Sequence, residues 1–319
     1  MSVTASALDW LLDSDEPGIV FQAKRDLLDE PGPPEAAHVL AGPKVRALLA
    51  GQRPDGGFGV NVYAKWGGAH WRLVSLVELG VPAGEPRCVA AVETVLGWLT
   101  GKGHRSRIPT IDGLVRRCGS QEGNALAVCC RLGLADDPRV RLLAESLVEW
   151  QWPDGGWNCD KNPAACHSSF MESVLPMRAL AYYGELHDHQ QARKAAKRAS
   201  DIFLKRHMYL RQSDESIMRV EFGQLHYPLY WHYDILHGLK IMAEAGFIGD
   251  ARCKPALDLL ASKQLEDGGW PAEKKYYKAA GAIALGNDHV DWGGVSKTRM
   301  NPWVTADALY VLKAAGYIK

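Results

Sequence analysis

Nowhere in the 319 residues is there an apolar run long enough to cross a bilayer as a helix, which takes roughly 18 to 20 residues. That excludes a helical membrane span. The chain also has no excess of either charge, with 37 Lys and Arg against 37 Asp and Glu. Nucleic acid is therefore not expected as a main partner, because phosphate binding draws on a clustered basic surface. The most basic stretch, Arg193 to Lys205, reads as the solvated face of a helix whose other face is Ala, Ile and Leu. Cysteine is scarce, odd in number at seven, and without the spacing of a small disulfide-stapled domain. Such usage suits a reducing compartment, where thiols stay free or bind metal. Residues 1–10 lack the basic stretch and long apolar core of a secretory leader. The expectation is a cytoplasmic chain of unassigned oligomeric state.

Helical periodicity fills what remains, and no stretch alternates long enough to argue for a sheet. Six helix pairs are expected: 5–14 with 17–29, 43–52 with 69–80, 85–101 with 121–133, 137–151 with 168–184, 188–210 with 231–246, and 249–264 with 302–316. Gly80, Gly133, Gly246 and Gly316 stand where a left-handed cap ends a helix. Asp137 before Pro138 gives an N-cap followed by Pro at the first helical position. First members of the pairs are amphipathic. Second members, such as 124–134, 170–183 and 304–315, are apolar nearly all round and must be covered on every side. The simplest arrangement is an inner ring of second members inside an outer ring of first members. That is an all-α fold, a single (α/α)6 toroid over 1–319, with 1–40 as first hairpin and linker and 41–319 as the repeat region.

A turn phrase recurs at the ends of three outer helices. It reads Gln52-Arg-Pro-Asp-Gly-Gly-Phe58, Gln151-Trp-Pro-Asp-Gly-Gly-Trp157 and Gln264-Leu-Glu-Asp-Gly-Gly-Trp270. The copies stand roughly two helical hairpins apart, at the roughly 40 to 50 residues of a helical repeat. Two Gly residues allow positive φ in a tight reversal. The Gln amide is placed to bridge to a neighbouring helix end, and the aromatic ring to pack over the turn.

This phrase resembles the QW motif of squalene–hopene cyclases, and the layout is similar to the β subunits of protein prenyltransferases. The resemblance runs from about Pro43 to the end of the chain. Lys65-Trp-Gly-Gly-Ala-His-Trp71 and Tyr230-Trp-His-Tyr-Asp-Ile-Leu-His237 also resemble segments of bacterial prenyltransferase-like proteins of unassigned activity. The resemblance implies an α/α toroid of the terpenoid cyclase and prenyltransferase superfamily, with a cavity at the ring's mouth and an isoprenoid-type substrate. The chain departs from these families in having no Asp-x-Asp-Asp, no Asp-Asp-x-x-Asp and no Asp-x-Cys.

The long connections all lead into inner-helix N-termini, so they converge on one end of the expected ring. His167-Ser-Ser-Phe170 resembles the His-Thr-Cys-Tyr string that carries a zinc ligand in prenyltransferase β subunits. With Cys118, Cys159 and Cys166 beside it, a zinc site of Cys118, Cys159, Cys166 and His167 is expected, since Cys thiolate and His nitrogen are preferred zinc ligands. His70, Glu122, Asn124, Glu172, Asp234, His237 and Asp307 stand near inner-helix starts, where a polar group either caps and cross-links helices or works on a ligand. Asp234, flanked by His232 and His237, is the expected acid or base, with Glu122 a second candidate. His70, Trp71, Trp157, Asn124, Tyr230, Trp231, Trp292 and Trp303 are the expected substrate wall; aromatic faces stabilise cations and line apolar cavities.

Two further readings fit the same residues. The missing aspartate motifs suit a toroid that binds an apolar ligand or peptide without chemistry. The aromatics also suit sugar stacking, and Asp234 with Glu122 or Asp291 would give a carbohydrate enzyme its carboxylate pair.

Overall fold

In the computed structural model, which describes residues 5–30, 35–279 and 285–318, α1 (Ala5–Leu12) pairs with α2 (Pro17–Gln22), which continues through a π-helical turn, Ala23–Leu27. After the short α3 (Glu35–Val39) come α4 (Pro43–Leu49) with α5 (Ala69–Glu78), then α6 (Pro86–Thr100), the single turn α7 (Lys102–Arg105) and α8 (Gly119–Arg131). Next are α9 (Pro138–Glu149) with α10 (Phe170–Leu186), α11 (Gln190–Leu204) with α12 (Ile235–Glu244), and α13 (Lys254–Ser262) with α14 (Pro302–Ala314). Among the described residues the only strands are two-residue pieces: β1 (Thr110–Ile111) antiparallel to β2 (Leu114–Val115), and β3 (Lys278–Ala279) parallel to β4 (Asn287–Asp288).

The second members close on themselves. α5 packs on α8, α8 on α10, α10 on α12 and α12 on α14, while α14 meets α2 and its π turn. The last join is between α2 and α5, where Gln22 Nε2 donates to the Glu78 carbonyl. The ring of six inner helices is therefore complete, with α1, α4, α6, α9, α11 and α13 outside it, and the (α/α)6 toroid is the fold. Patterning explains the two layers. α11 buries Ala192, Ala195, Ala196 and Ala199 and turns Arg193, Lys194, Lys197 and Arg198 to solvent. α8 and α12 are buried almost end to end. α8 and α10 approach most closely because Gly123 lies against Pro176: a Cβ on Gly123 would stand 2.6 Å from the Pro176 nitrogen.

The three repeated turns share one geometry. The Gln amides donate to the carbonyls of Gly56, Gly155 and Gly268 at 3.1, 2.7 and 2.9 Å. Gln52 and Gln151 also reach the next outer helix, at the Arg87 and Ala195 carbonyls, both 2.8 Å. Trp157 and Trp270 donate their indole N–H to carbonyls ten residues back, Leu147 and Leu260, at 2.9 and 2.8 Å. The first two phrases thus fasten one hairpin to the next, and the third ties α13 to α14 of its own hairpin, where the Trp270 backbone N–H donates to the Thr305 hydroxyl at 2.9 Å.

Half of the ring's interior is filled by charge. Arg178 on α10 contacts Glu78 on α5 at 2.5 Å and Glu244 on α12 at 2.6 Å. Arg131 on α8 contacts Glu244 at 2.9 Å, and Lys240 on α12 bonds Glu78 at 2.9 Å and Asp307 on α14 at 2.6 Å. Three cations meet three anions, and several of these bonds cross between helices that are not neighbours in the ring. Burial works to raise the Glu244 carboxyl, but Arg178 and Arg131 bring it down to about 2.

Candidate active site at the inner-helix N-termini

At the other half of the interior, the N-termini of the inner helices carry aromatic and imidazole side chains. Trp66 stacks face to face on Tyr230 with centroids 4.1 Å apart, and Trp71 meets Trp66 edge-on at 4.9 Å. Tyr227 stacks on Trp303, and Trp292 stands edge-on to both. Asn124 Nδ2 donates to the Tyr230 carbonyl at 3.4 Å. These rings are nearly all buried, and the expected wall residues fall in two aromatic groups, Trp71 and Tyr230 with Trp66, and Trp292 and Trp303 with Tyr227.

Asp234 is the N-cap of α12 and is wholly buried. Its Oδ1 accepts from the His237 backbone N–H at 2.7 Å. Its Oδ2 accepts from the backbone N–H and the Nδ1 of His226, at 2.8 and 2.5 Å. The bonded Nδ1 leaves His226 Nε2 as the free ring nitrogen, buried and without a partner. His237 donates Nδ1 to the His232 carbonyl at 2.9 Å, which again leaves Nε2 free. The His232 ring stacks on Tyr276 at 3.4 Å with its Nδ1 unpartnered. Ring centroids of His232 and His237 lie 6.3 and 6.5 Å from that of His226. Burial lowers His237 to about 4 and His232 to about 3. Both imidazoles are neutral at pH 7. His226 is absent from the sequence-based candidates because it sits in an irregular connection with no periodic pattern to point to it.

A second cluster lies between the N-termini of α8 and α10. Cys118, Cys159 and Glu172 bring their sulfur and oxygen atoms within 4.8 Å of one another, the only such group of His, Cys, Asp and Glu among the described residues. Glu172 is held from two sides. Oε2 accepts from the Ser120 N–H and hydroxyl at 3.1 and 2.7 Å, and Oε1 accepts from Trp231 Nε1 at 3.2 Å and lies 3.8 Å from Cys159 Sγ. The hydrogen bond between the two thiols lowers Cys159 and raises Cys118, so Cys159 is the first of the two to ionise. Two sulfurs and one carboxylate oxygen are a donor set suited to zinc or another soft divalent ion, and the group could hold a metal ion.

The other expected residues fall elsewhere. Cys166 and His167 are exposed and stand apart from the sulfur–carboxylate group. Asn158, Asp160 and Asn162 each accept from the backbone N–H two residues on, and this chain of turns carries the loop outward before α10 begins. Glu172, one turn into α10, takes the place expected for His167. Glu122 is buried but occupied by a two-pronged pair with Arg117, the closest contact 2.6 Å, with His104 also bonded to Arg117. Trp157 serves its turn, with Gly119 against its ring. His70 faces outward between α5, α6 and α8, in a void of about 10 Å³ lined by Leu73, Val92, Val95, Ala125, Val128 and Cys129. Asp291, the other carboxylate of the carbohydrate reading, is exposed and accepts from the Tyr277 hydroxyl at 3.1 Å.

No family model and no curated protein matches the chain. A solved structure described as a type II terpene cyclase from Scytonema in complex with merosterolic acid A, its product, is similar at 16% identity, over 98% of this chain and 95% of that one, with a TM-score of 0.44. The toroid rests on the helix packing described above and not on this likeness. No helix among the described residues is long and apolar enough to cross a membrane.

Proposed function

We propose that the chain is a terpene cyclase- or prenyltransferase-like protein that takes an apolar, isoprenoid-type molecule at the inner-helix N-termini, with the Asp234–His226 pair as its acid–base group. The observation that carries this is a buried carboxylate–imidazole pair at 2.5 Å whose outer nitrogen is unpartnered, among the Tyr276, His232 and His237 rings. Asp234 fixes the tautomer and orientation of His226; Nε2 takes or gives the proton. His237 and His232, kept neutral, add acceptors without adding charge. Trp71, Tyr230, Trp231, Trp292 and Trp303 supply the apolar wall and π faces for a developing cation. Cys118, Cys159 and Glu172 would hold zinc, which when bound supplies Lewis acidity at a position left open to a fourth ligand.

The test is to incubate the purified chain with squalene and with geranylgeranyl diphosphate, following binding by tryptophan fluorescence and products by mass spectrometry. The expected result is saturable quenching and a new product, with His226→Gln keeping the binding and losing turnover about 100-fold or more, within the usual range for a general acid or base. Absence of both binding and product for every isoprenoid tried would sink the proposal. Binding without product would favour the second reading, a non-catalytic apolar-ligand toroid. That reading draws support from Asp234, whose two oxygens are both engaged in capping and imidazole bonds. For the metal, zinc retained through dialysis by the native chain and lost in Cys159→Ser is the expected outcome.

A further inference from the structure

At the opposite end of the ring from the Asp234 site, the C-terminal ends of α2, α5, α8 and α10 surround a cavity of about 800 Å³. We propose that it is a separate ligand site for an amphiphile with an apolar body and a single anionic head group. The volume lies within the range of small-molecule sites, roughly 300 to 1,000 Å³. Phe21, Val77, Val81 and Leu186 give it apolar walls, and Leu186, 59% exposed, makes an apolar rim at the surface.

The charge at its wall sets the head group. Helix C-termini carry partial negative charge, so a cavity built there would by itself favour a cation. Arg25 and Arg131, each also paired with a carboxylate outside the lining, Asp26 and Glu244, put two guanidiniums at this wall beside Glu185 and offset that preference. Arg25 spends Nε and Nη2 on Asp26 at 2.6 and 2.7 Å, with its guanidinium 5.1 Å from the Phe21 ring, and its Nη1 makes no hydrogen bond among the described residues. Arg131 spends Nη2 on the Tyr182 hydroxyl and on Glu244 at 2.6 and 2.9 Å; its Nη1 lies 3.7 Å from Glu78, outside hydrogen-bond reach. Arg25 therefore keeps a donor for an incoming carboxylate or phosphate, groups that arginine recognises well, while Arg131 adds positive charge behind it.

The experiment is a fluorescence titration of the full chain with dansyl-undecanoic acid, competed by dodecanoate, dodecyl phosphate and dodecanol. The expected result is one saturable site from which an anionic competitor displaces the probe at a concentration about tenfold lower than the alcohol does, a difference of about 1.4 kcal/mol. Whichever of dodecanoate and dodecyl phosphate competes better identifies the head group. Arg25→Gln should bring anion and alcohol level at an unchanged melting temperature. Val81→Trp, which fills the cavity, should weaken probe binding about tenfold or more, and Ala83→Trp at the entrance should do the same if Val81→Trp fails to fold. Trp66→Ala, in an aromatic group at the other end, should leave binding unchanged. No saturable binding, equal competition by dodecanol in the native chain, or loss of binding in Trp66→Ala alone would each overturn the proposal.

Discussion

His70 lies wholly buried with neither ring nitrogen bonded, among Leu73, Val92, Val95, Ala125, Val128 and Cys129. Burial holds it neutral, its proton affinity lowered to about 3. An unpaired polar group in an apolar site costs about 1–3 kcal/mol, and leucine has nearly the volume of histidine. His70→Leu should therefore stabilise the chain by about 1–3 kcal/mol at pH 7. The sign with pH follows from linkage. Between the unfolded value of 6.5 and the folded value near 3, the unfolded chain binds the extra proton, so stability falls as pH falls. From pH 7 to pH 5 this one group removes about 2 kcal/mol. His232 and His237 act in the same direction, while Asp288 and Asp307, raised by burial to about 6, act oppositely, losing stability as pH rises toward 6. Urea unfolding at pH 7 and pH 5 should show the advantage of His70→Leu over the native chain widening by about 2 kcal/mol. Parallel pH curves for the two proteins would show that the imidazole titrates freely. As a sequence position His70 reads as a mouth residue, since it opens α5. The helix phase turns it toward α6 instead, and one residue of phase is more than a start signal can fix.

At the scale of the elements, the paired helices were legible because two simple codes agree. The amphipathic and all-apolar runs give the layers, and the glycines after α5, α8, α12 and α14 end their helices with φ between +73° and +86°. The repeated turns were legible in outline too, but not in their demands. Gly155 has φ of 108°, and a Cβ there would stand 2.5 Å from the Arg198 carbonyl of α11. Gly246 also has positive φ, but a Cβ there would meet nothing. Gly155→Ala should thus combine backbone strain with a backbone collision and cost about 3 kcal/mol or more, against about 1 kcal/mol for Gly246→Ala. Urea midpoints of the two variants make the comparison, and equal losses would mean that the turn shifts away from α11 at little cost. The site was only half readable for a related reason. Asp234 stands at a helix start, where capping chemistry marks it, and Cys118 and Cys159 are marked by residue type as metal ligands. His226 lies in a connection whose path is set by tertiary contacts, and the successive side-chain turns from Asn158 to Asn162 sent Cys166 and His167 outward against expectation.

For the whole molecule, the decisive feature is one that helix patterning treats as noise: Glu78, Arg178, Lys240 and Asp307 on helices otherwise buried and apolar. Their bonds tie α5 to α10 and α12, and α12 to α14, through the middle of the ring. A ring of six hairpins held only by nearest neighbours could open at any join, whereas bonds across the centre make opening at one join costly at the others. Removing one member leaves an opposite charge buried and unpaired, a loss of about 3–5 kcal/mol. Arg178→Met leaves one negative charge in excess, because Lys240 on Glu78 and Arg131 on Glu244 are then two cations facing three anions. Adding Glu78→Gln restores the balance, because Arg131 and Lys240 then face Glu244 and Asp307. The double variant should accordingly be more stable than the sum of the two single losses, by about 1–3 kcal/mol in a double-mutant cycle. Hydrogen exchange gives the spatial half of the test. In Arg178→Met, amides of α5, α10 and α12 should lose protection together, since all three helices share the broken contacts. Additive losses, with exchange rising in α10 alone, would show that the ring is held by its neighbouring pairs and that the charges at its centre are only filling.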